Sequence, residues 1–334
     1  MKTLLRIIES TLPYALRDTL DAHAAAARVD GWNVIDAFAS RRDDKNPRGV
    51  VDIAENIIWP AIAAHENLHV FAIGDLPIPR SGFALNPDGH PENNGAYPCP
   101  TYWASGSQVG WTDTLNNTGF PSKPVFEHAA GDCVWDQDIL PASARCAIGI
   151  LNLTPAAKNK AWGFAGPTST WVIQAYRRYF DSLLAWKTSA IRPVAPFAHG
   201  HGLTPTGDQR WLLNTDPAQT VFRNATQPRA FDGPYGYFYD VKGLPTNGDF
   251  WFKRRTPVAA VYLEFESYQT DWTSSRLQNA LLTGSAAAAP VGFEWNVADW
   301  REKTVGELWM QSARQGRRPW ISLYGDPTFK LNVL

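Results

Sequence analysis

The feature that most constrains this chain is the alternation of apolar runs with amphipathic ones over its first 75 residues. Leu4 to Ile8 is apolar and reads as a strand. Ser10 or Thr11 can cap a helix behind it, and Pro13 suits the first turn, where a missing amide costs nothing. Leu16, Leu20, Ala24 and Ala27 then recur at helical spacing, which gives one buried stripe, and Gly31 ends the element. Trp32 to Phe38 is a second strand. Val51 to His65 is a second helix, with Ile53, Ile57, Ile58 and Ile62 apolar. Leu68 to Ile73 is a third strand, stopped by Gly74-Asp75. Strand and helix in turn, with short connections, predict a parallel sheet covered by helices.

The alternation then pauses. Residues 76–144 are rich in proline and read as mostly loop, and loops this long are usually functional or partner-facing. Ala147 to Leu153 resumes as a strand. In the second half, Thr168 to Trp186 is an amphipathic helix, with Trp171, Ile173, Tyr176, Tyr179 and Leu183 on or near one face. Pro193 to Ala198 is a strand ending at His199-Gly200-His201-Gly202, and Gly202 to Arg254 reads as irregular. Strands are expected at Val258 to Phe265, Pro290 to Trp295 and Pro319 to Tyr324, and helices at Ser274 to Leu282 and Asp299 to Arg314. The last strand runs into Gly325-Asp326-Pro327, much as the third runs into Gly74-Asp75-Leu76-Pro77. Two similar α/β halves explain that likeness, although Gly-Asp after a strand is also ordinary turn chemistry. The expected division is 1–155, which carries the long loop, and 156–334.

Composition narrows the function. Of 334 residues, 44% are hydrophobic and 19% charged, so the chain can bury a sizeable core. Thirty-one basic against 32 acidic residues leave a net charge of −1, which argues against nucleic acid or a polybasic membrane surface as partner. No stretch approaches the roughly 20 apolar residues of a transmembrane helix. Arg6 and Glu9 interrupt the opening apolar run, so it reads as a strand and not as a signal sequence. Fifteen tryptophans, 25 prolines and 25 glycines beside few charges favour an extracytoplasmic or secreted protein. Trp103, Trp111 and Trp135 in the long loop either stack on sugars or a partner protein, or are core. Three cysteines are too few for a disulfide scaffold. A single Cys99–Cys133 bridge and three unpaired thiols fit equally well. No phosphate loop, dinucleotide fingerprint or H-E-x-x-H is present, and His199 and His201 lack a third metal ligand in register.

In open parallel sheets the ligand crevice lies beyond the carboxyl ends of the strands. His199, His201 and Gly202 follow one strand there. Glu266, Ser267, Tyr268, Gln269, Thr270, Asp271 and Trp272 follow the next apolar one. Were those strands neighbours, an imidazole able to take a proton would sit beside a hydroxyl able to attack a carbonyl. The glycines around His201 would let backbone amides approach a developing oxyanion. A tight turn with merely structural histidines explains the same residues, and no G-x-S-x-G elbow is present.

The order of several segments resembles the gingipain-like cysteine peptidases of the caspase-like clan. Those segments span nearly the whole chain. They begin with Gly31-Trp32-Asn33-Val34 and Phe71-Ala72-Ile73-Gly74-Asp75-Leu76-Pro77-Ile78-Pro79. The stretch from Asn86 to Pro98, Gly110-Trp111-Thr112-Asp113 and Ala147-Ile148-Gly149-Ile150 follow. His201-Gly202, Ser267 to Trp272, and Leu323-Tyr324-Gly325-Asp326-Pro327-Thr328 complete the set. The resemblance implies an α-β-α sandwich in two related halves with mostly parallel sheets, and a catalytic pair in the second half. It assigns the general base to His201. It places Ser267 where the family has its nucleophilic cysteine, with Asp271-Trp272 on the acidic-aromatic pair that follows. Pro100-Thr101 is a second departure, standing where many relatives carry an acidic residue.

A serine hydroxyl has a far higher pKa than a thiol and needs a well-oriented base. The first expectation is therefore a protein that has lost cysteine peptidase activity and serves as a binding or structural component, with a protein or peptide ligand. The second is a hydrolase using Ser267 and His201, with Glu266 or Asp271 assisting. The third is a subunit of an extracellular assembly that self-associates through its long loops. Relatives of this fold bind calcium structurally. Asn86, Asp88 and Glu92 in one loop, and Asp132, Asp136 and Asp138 in another, supply the hard oxygen ligands calcium prefers. Solvated turn residues would look the same.

Overall fold

A computed structural model describes residues 1–83, 95–116, 128–201, 220–224, 234–241, 257–265, 275–290, 299–316 and 319–331. The first half runs β1 (Lys2–Glu9), α1 (Pro13–Val29), β2 (Trp32–Ala39), α2 and β3 (Asn67–Ile73). Here α2 is three consecutive stretches, Gly49–Ile53, Ala54–Ile58 and Trp59–Ala64. Next come β4 (Arg80–Ser81), β5 (Tyr97–Pro98), α3 (Pro100–Ser105), β6 (Val134–Trp135) and β7 (Ala147–Leu151). The second half holds α4 (Thr154–Ala157), α5 (Thr168–Lys187), β8 (Ala195–His201), β9 (Thr220–Asn224) and β10 (Tyr235–Val241). It ends with β11 (Ala259–Phe265), α6 (Ser275–Thr283), β12 (Ala287–Pro290), α7 (Val305–Gly316) and β13 (Tyr324–Gly325).

Ten strands form one sheet in the order β2-β1-β3-β7-β13-β12-β11-β10-β8-β9. Every pair is parallel except β12 with β13. Interior strands are buried on both faces and read as continuous apolar runs, as β1, β3 and β7 do. The edge strand β2 is half-exposed instead. One continuous core runs from Leu4 to Leu331. Each large aliphatic or aromatic side chain within it contributes about 1.5–3 kcal/mol.

Local sequence explains the helices. In α1, Leu16, Leu20, Ala24 and Ala27 are buried, and Gly31 leaves the helix at φ +85°. In α2 the Trp59 amide bonds to the Ala54 carbonyl, one residue further back than α-geometry requires. Pro60 follows at once. Its ring would clash with the carbonyl four residues earlier, and a wide turn relieves that clash. α7 begins six residues later than the sequence pattern predicts. Its true start is a capping box: the Thr304 amide donates to Glu307 Oε2 at 2.6 Å and the Glu307 amide to Thr304 Oγ1 at 3.2 Å.

Three strand expectations need correction. The stretch 202–254 is not wholly irregular, because it contains β9 and β10. Gly236 made the second easy to miss. It sits within a strand because a Cβ there would collide with the Pro196 carbonyl and with Leu331. β12 is seen at Ala287–Pro290, while the expected strand Pro290 to Trp295 lies, beyond Pro290, outside the described residues; the last strand is only two residues long. Residues 76–144 also hold a small three-stranded sheet, β5-β4-β6, and α3. Trp103, Trp111 and Trp135 are buried there, and Tyr102 stacks on Trp135 with ring centroids 4.4 Å apart. They are core.

The short β13 joins the two halves of the sheet. Tyr324 pairs with Ile150 of β7 on one side and Ala288 of β12 on the other. The chains approach so closely that a Cβ on Gly149 would strike the Gly325 carbonyl, and one on Gly325 the Ala286 carbonyl. On either side of this seam the strands wind alike: first strand inside, second at the edge, third and fourth on the far side of the first.

Candidate functional site

At the carboxyl end of the second winding, β10 lies between β8 and β11. Val241 aligns with His201 on one side and with Phe265 on the other. The two strands expected to present the histidine and the serine are therefore two inter-strand spacings apart, roughly 9–10 Å. Ser267, Glu266 and Asp271 lie outside the described residues, as do Asn86, Asp88 and Glu92.

The three other acidic residues are placed, each with its own task. Asp132 accepts the amides of Ala129 at 2.8 Å and Val134 at 2.9 Å. Asp136 accepts the Thr112 and Thr114 hydroxyls and the Thr114 and Leu115 amides, at 2.9–3.2 Å. Asp138 accepts the Phe83 amide at 2.8 Å. Asp113 does the same for Gly131 and Cys133. These carboxylates tie neighbouring loop segments together through their amides. Among the described residues no three or more histidine, cysteine, aspartate or glutamate side chains converge as a metal group.

All three cysteines are free, so Cys99 and Cys133 form no bridge. Burial pushes the Cys99 thiol up to about 12 and raises Cys146 and Cys133 as well. All three are protonated at neutral pH, which makes them poor nucleophiles.

The carboxyl ends of β1, β2, β3 and β7 carry a cluster the sequence did not single out. Glu9, buried at the end of β1, accepts the Thr11 hydroxyl and the Asp75 amide, the latter at 2.7 Å. Asp75, just past β3, accepts Arg41 Nη2 at 3.0 Å and Nε at 3.2 Å, and Asn152 Nδ2 at 2.9 Å. Asn152, just past β7, accepts the Thr154 amide at 3.0 Å. Four strand ends are thereby fixed to one another. Gly74-Asp75 was legible as a turn; its partners were not.

Beside this cluster, a cleft of about 470 Å³ opens between the end of β2 and α2. Phe38, Arg41, Asp43, Asp52 and Ile57 are among its lining residues. A narrower cleft of about 210 Å³ shares Asp43, Asn46 and Pro77 with it and reaches Cys133. The signal that could have located both is the polar segment 40–48, an irregular connection at the carboxyl end of a parallel strand.

A second polar cluster runs from β1 to the seam, with Arg6, His23, Lys187 and Asp326 buried. Arg6 on β1 grips Asp36 of β2 with two bonds of 2.7 Å. Its Nη1 also reaches the Leu20 carbonyl and His23 Nδ1, the latter at 3.3 Å. A guanidinium can only donate, so His23 Nδ1 accepts and its Nε2 carries the proton, which it donates to Asp326 Oδ2 at 3.2 Å. Lys187 completes the group, 3.4 Å from Asp326 and 2.9 Å from Asp30. Burial alone would raise the Asp326 carboxyl. Lys187, His23 and Thr328 overcome it and hold the group well below the usual carboxylate range. Burial lowers His23 despite Asp326, so it stays neutral.

No protein-family model, no curated protein and no solved structure matches this chain.

Proposed function

We infer that this chain is a two-half, caspase-like α/β protein, related to the gingipain-like peptidases, that binds a protein or peptide ligand outside the cytoplasm without cysteine peptidase chemistry. The like winding of the strands on either side of the seam supports the two-half frame. The family's nucleophile position holds Ser267, and the three cysteines elsewhere are either buried or raised above the ordinary thiol range.

The observation that carries the reading is the position of β10 between β8 and β11. A serine needs its base within about 3 Å to lose its proton during attack. Strand ends roughly 9–10 Å apart do not supply that contact by themselves. The test is labelling of the pure protein by a fluorophosphonate probe, with and without calcium, beside Ser267→Ala. The expected result is no labelling that depends on Ser267. Labelling of the wild type that vanishes in the variant overturns the reading and makes the chain a serine hydrolase. Thiol-dependent proteolysis by the pure protein overturns it equally.

A further inference from the structure

The first edge of the ten-stranded sheet is β2, which among the described residues has a neighbour on one side only. It pairs with β1 along its full length, from Lys2↔Trp32 to Glu9↔Ala39. The Ala39 carbonyl accepts the Ser10 amide, so Ala39 turns its peptide groups toward β1. By the two-residue period of a strand, Ala37, Ile35 and Asn33 do the same. The amides and carbonyls of Trp32, Val34, Asp36 and Phe38 therefore form the outward row.

Natural edge strands are usually blunted by proline, lysine, a bulge or a charge. Trp32–Ala39 contains no proline, lysine or glycine. Its one charge, Asp36, is held by Arg6. Phe38 at its end is 57% exposed and lines the 470 Å³ cleft, whose apolar floor includes Ile53, Ile57 and Pro77. An open edge beside a pocket for a side chain is the arrangement that captures extended peptides by strand addition.

Charge selects the occupant. The ionisable groups of the cleft are Arg41, Asp43 and Asp52. Arg41 is spent on Asp75, and Asp52 lies 3.3 Å from Arg48. The Asp43 carboxylate accepts the Lys45 amide, and no cation pairs with it among the described residues. A second copy of β2 would bring no cation to it, because Trp32–Ala39 carries only Asp36 as a charge. A basic segment would neutralise it.

We propose that the outward edge of β2 and the cleft at its carboxyl end dock an extended peptide segment of alternating apolar and basic residues. The site belongs to the first half of the sheet and stands whether or not Ser267 is a nucleophile.

The probe is a fluorescent seven-residue peptide of alternating valine and lysine, read by anisotropy against the whole protein. A matched peptide of alternating valine and glutamate is the charge control. The lysine peptide should bind at least tenfold more tightly than the glutamate one. N-methylation of the alternate amides on one side should abolish binding, and methylation on the other side should spare it. In the protein, Phe38→Pro removes an outward amide and leaves those facing β1, so it should abolish binding. Asp43→Lys, a surface change that leaves the strand intact, should weaken binding at least tenfold and covers the case in which Phe38→Pro unfolds. No binding by the folded wild type at millimolar peptide overturns the proposal. So does equal binding of the two peptides, or full binding by Asp43→Lys. Sedimentation showing wild-type self-association that Phe38→Pro removes would give the edge to a second copy and overturn it too.

Discussion

The two Gly-Asp turns of this molecule look alike in sequence and do different work. Gly74-Asp75 follows β3, and Gly325-Asp326 closes β13. Both glycines are left-handed, at φ +118° and +103°. Both aspartates gather groups from several elements. Yet the Asp75 side chain keeps 18% of its surface in water and shares it with a half-exposed Arg41, whereas that of Asp326 keeps none and meets His23 and Lys187 in the interior. In water an ion pair is replaceable by hydration. In the interior the partners have no substitute, and the cost of separating them is set by the charge left behind. The rim turn thus leaves its surroundings free to vary and to meet a ligand. The seam turn fixes how the two halves of the sheet meet.

The largest expected effect follows directly. Asp326→Ala leaves the His23 Nε2 proton without its acceptor and the buried Lys187 with only the half-exposed Asp30 as its anion, and should cost roughly 3–5 kcal/mol of unfolding free energy. Urea denaturation checks it. The same truncation at Asp75 should cost at least 2 kcal/mol less, on the measured scale for partly exposed pairs of about 0–1 kcal/mol plus one lost neutral hydrogen bond. Equal losses at the two positions would end the distinction.

Acid should sharpen it next. His23 is held below its ordinary value by burial, and His69 is pushed down to about 4 by burial against the opposing pull of Glu307. Both are neutral when folded, and the unfolded chain takes up protons first. Stability should therefore be full above the ordinary histidine value near 6.5 and fall as pH drops toward 4, by on the order of 3 kcal/mol for His69 alone. Asp326 keeps its contribution over that window, because its folded value is depressed and it protonates only at far lower pH. Melting temperature against pH should slope between 6.5 and 4, and His69→Gln should flatten the slope. A flat wild-type profile would show that the interior is wetter than its burial implies.

How much of this was legible depends on how local the cause is. β1, α1, β3 and α5 were readable because a run of apolar residues or a stripe at helical spacing lies within one element, although Leu12, and not Ser10 or Thr11, stands at the start of α1 and gives it no side-chain cap. β10 was not, since Gly236 broke its pattern for a reason located at Pro196 and Leu331, far away in sequence. The order β8-β10-β11 is a matter of topology, so no spacing along the chain revealed that a strand separates His201 from Phe265. The tryptophans of the long loop were ambiguous because an aromatic in an irregular segment looks the same whether it faces water or Tyr102. The two Gly-Asp turns were visible as turns. Glu9, Arg41, His23 and Lys187, which make them differ, come from other elements.

The glycines themselves offer a smaller contrast. Alanine at either position is forced into left-handed backbone, at roughly 1–3 kcal/mol. At Gly74 the new methyl meets the Glu9 Cβ, which moves only with the end of β1, and the movable ends of the Glu9 and Leu12 side chains. At Gly325 it meets the backbone of Ala286 and Ala287, which cannot shift without opening the seam. Both substitutions should therefore exceed that range, and Gly325→Ala, which meets two backbone atoms, should cost more than Gly74→Ala. The reverse order in thermal melts would mean that β13 has more slack than its close contacts allow.

The smallest effect is the one that isolates the rim. Arg41 is half-exposed and its bonds to Asp75 compete with water and salt, so Arg41→Ala should change stability by no more than about 1 kcal/mol, and less still at high salt. Its effect on the cleft should be larger. Among the described residues Arg41 is the one cation lining the cleft, and removing it leaves Asp43 and Asp52 to set the local field. A cationic peptide should then bind more tightly, and an anionic one more weakly, at unchanged melting temperature. Measuring both quantities on one variant separates the roles: a large loss of stability would place Arg41 with the seam residues, whereas a change in binding alone keeps it on the rim.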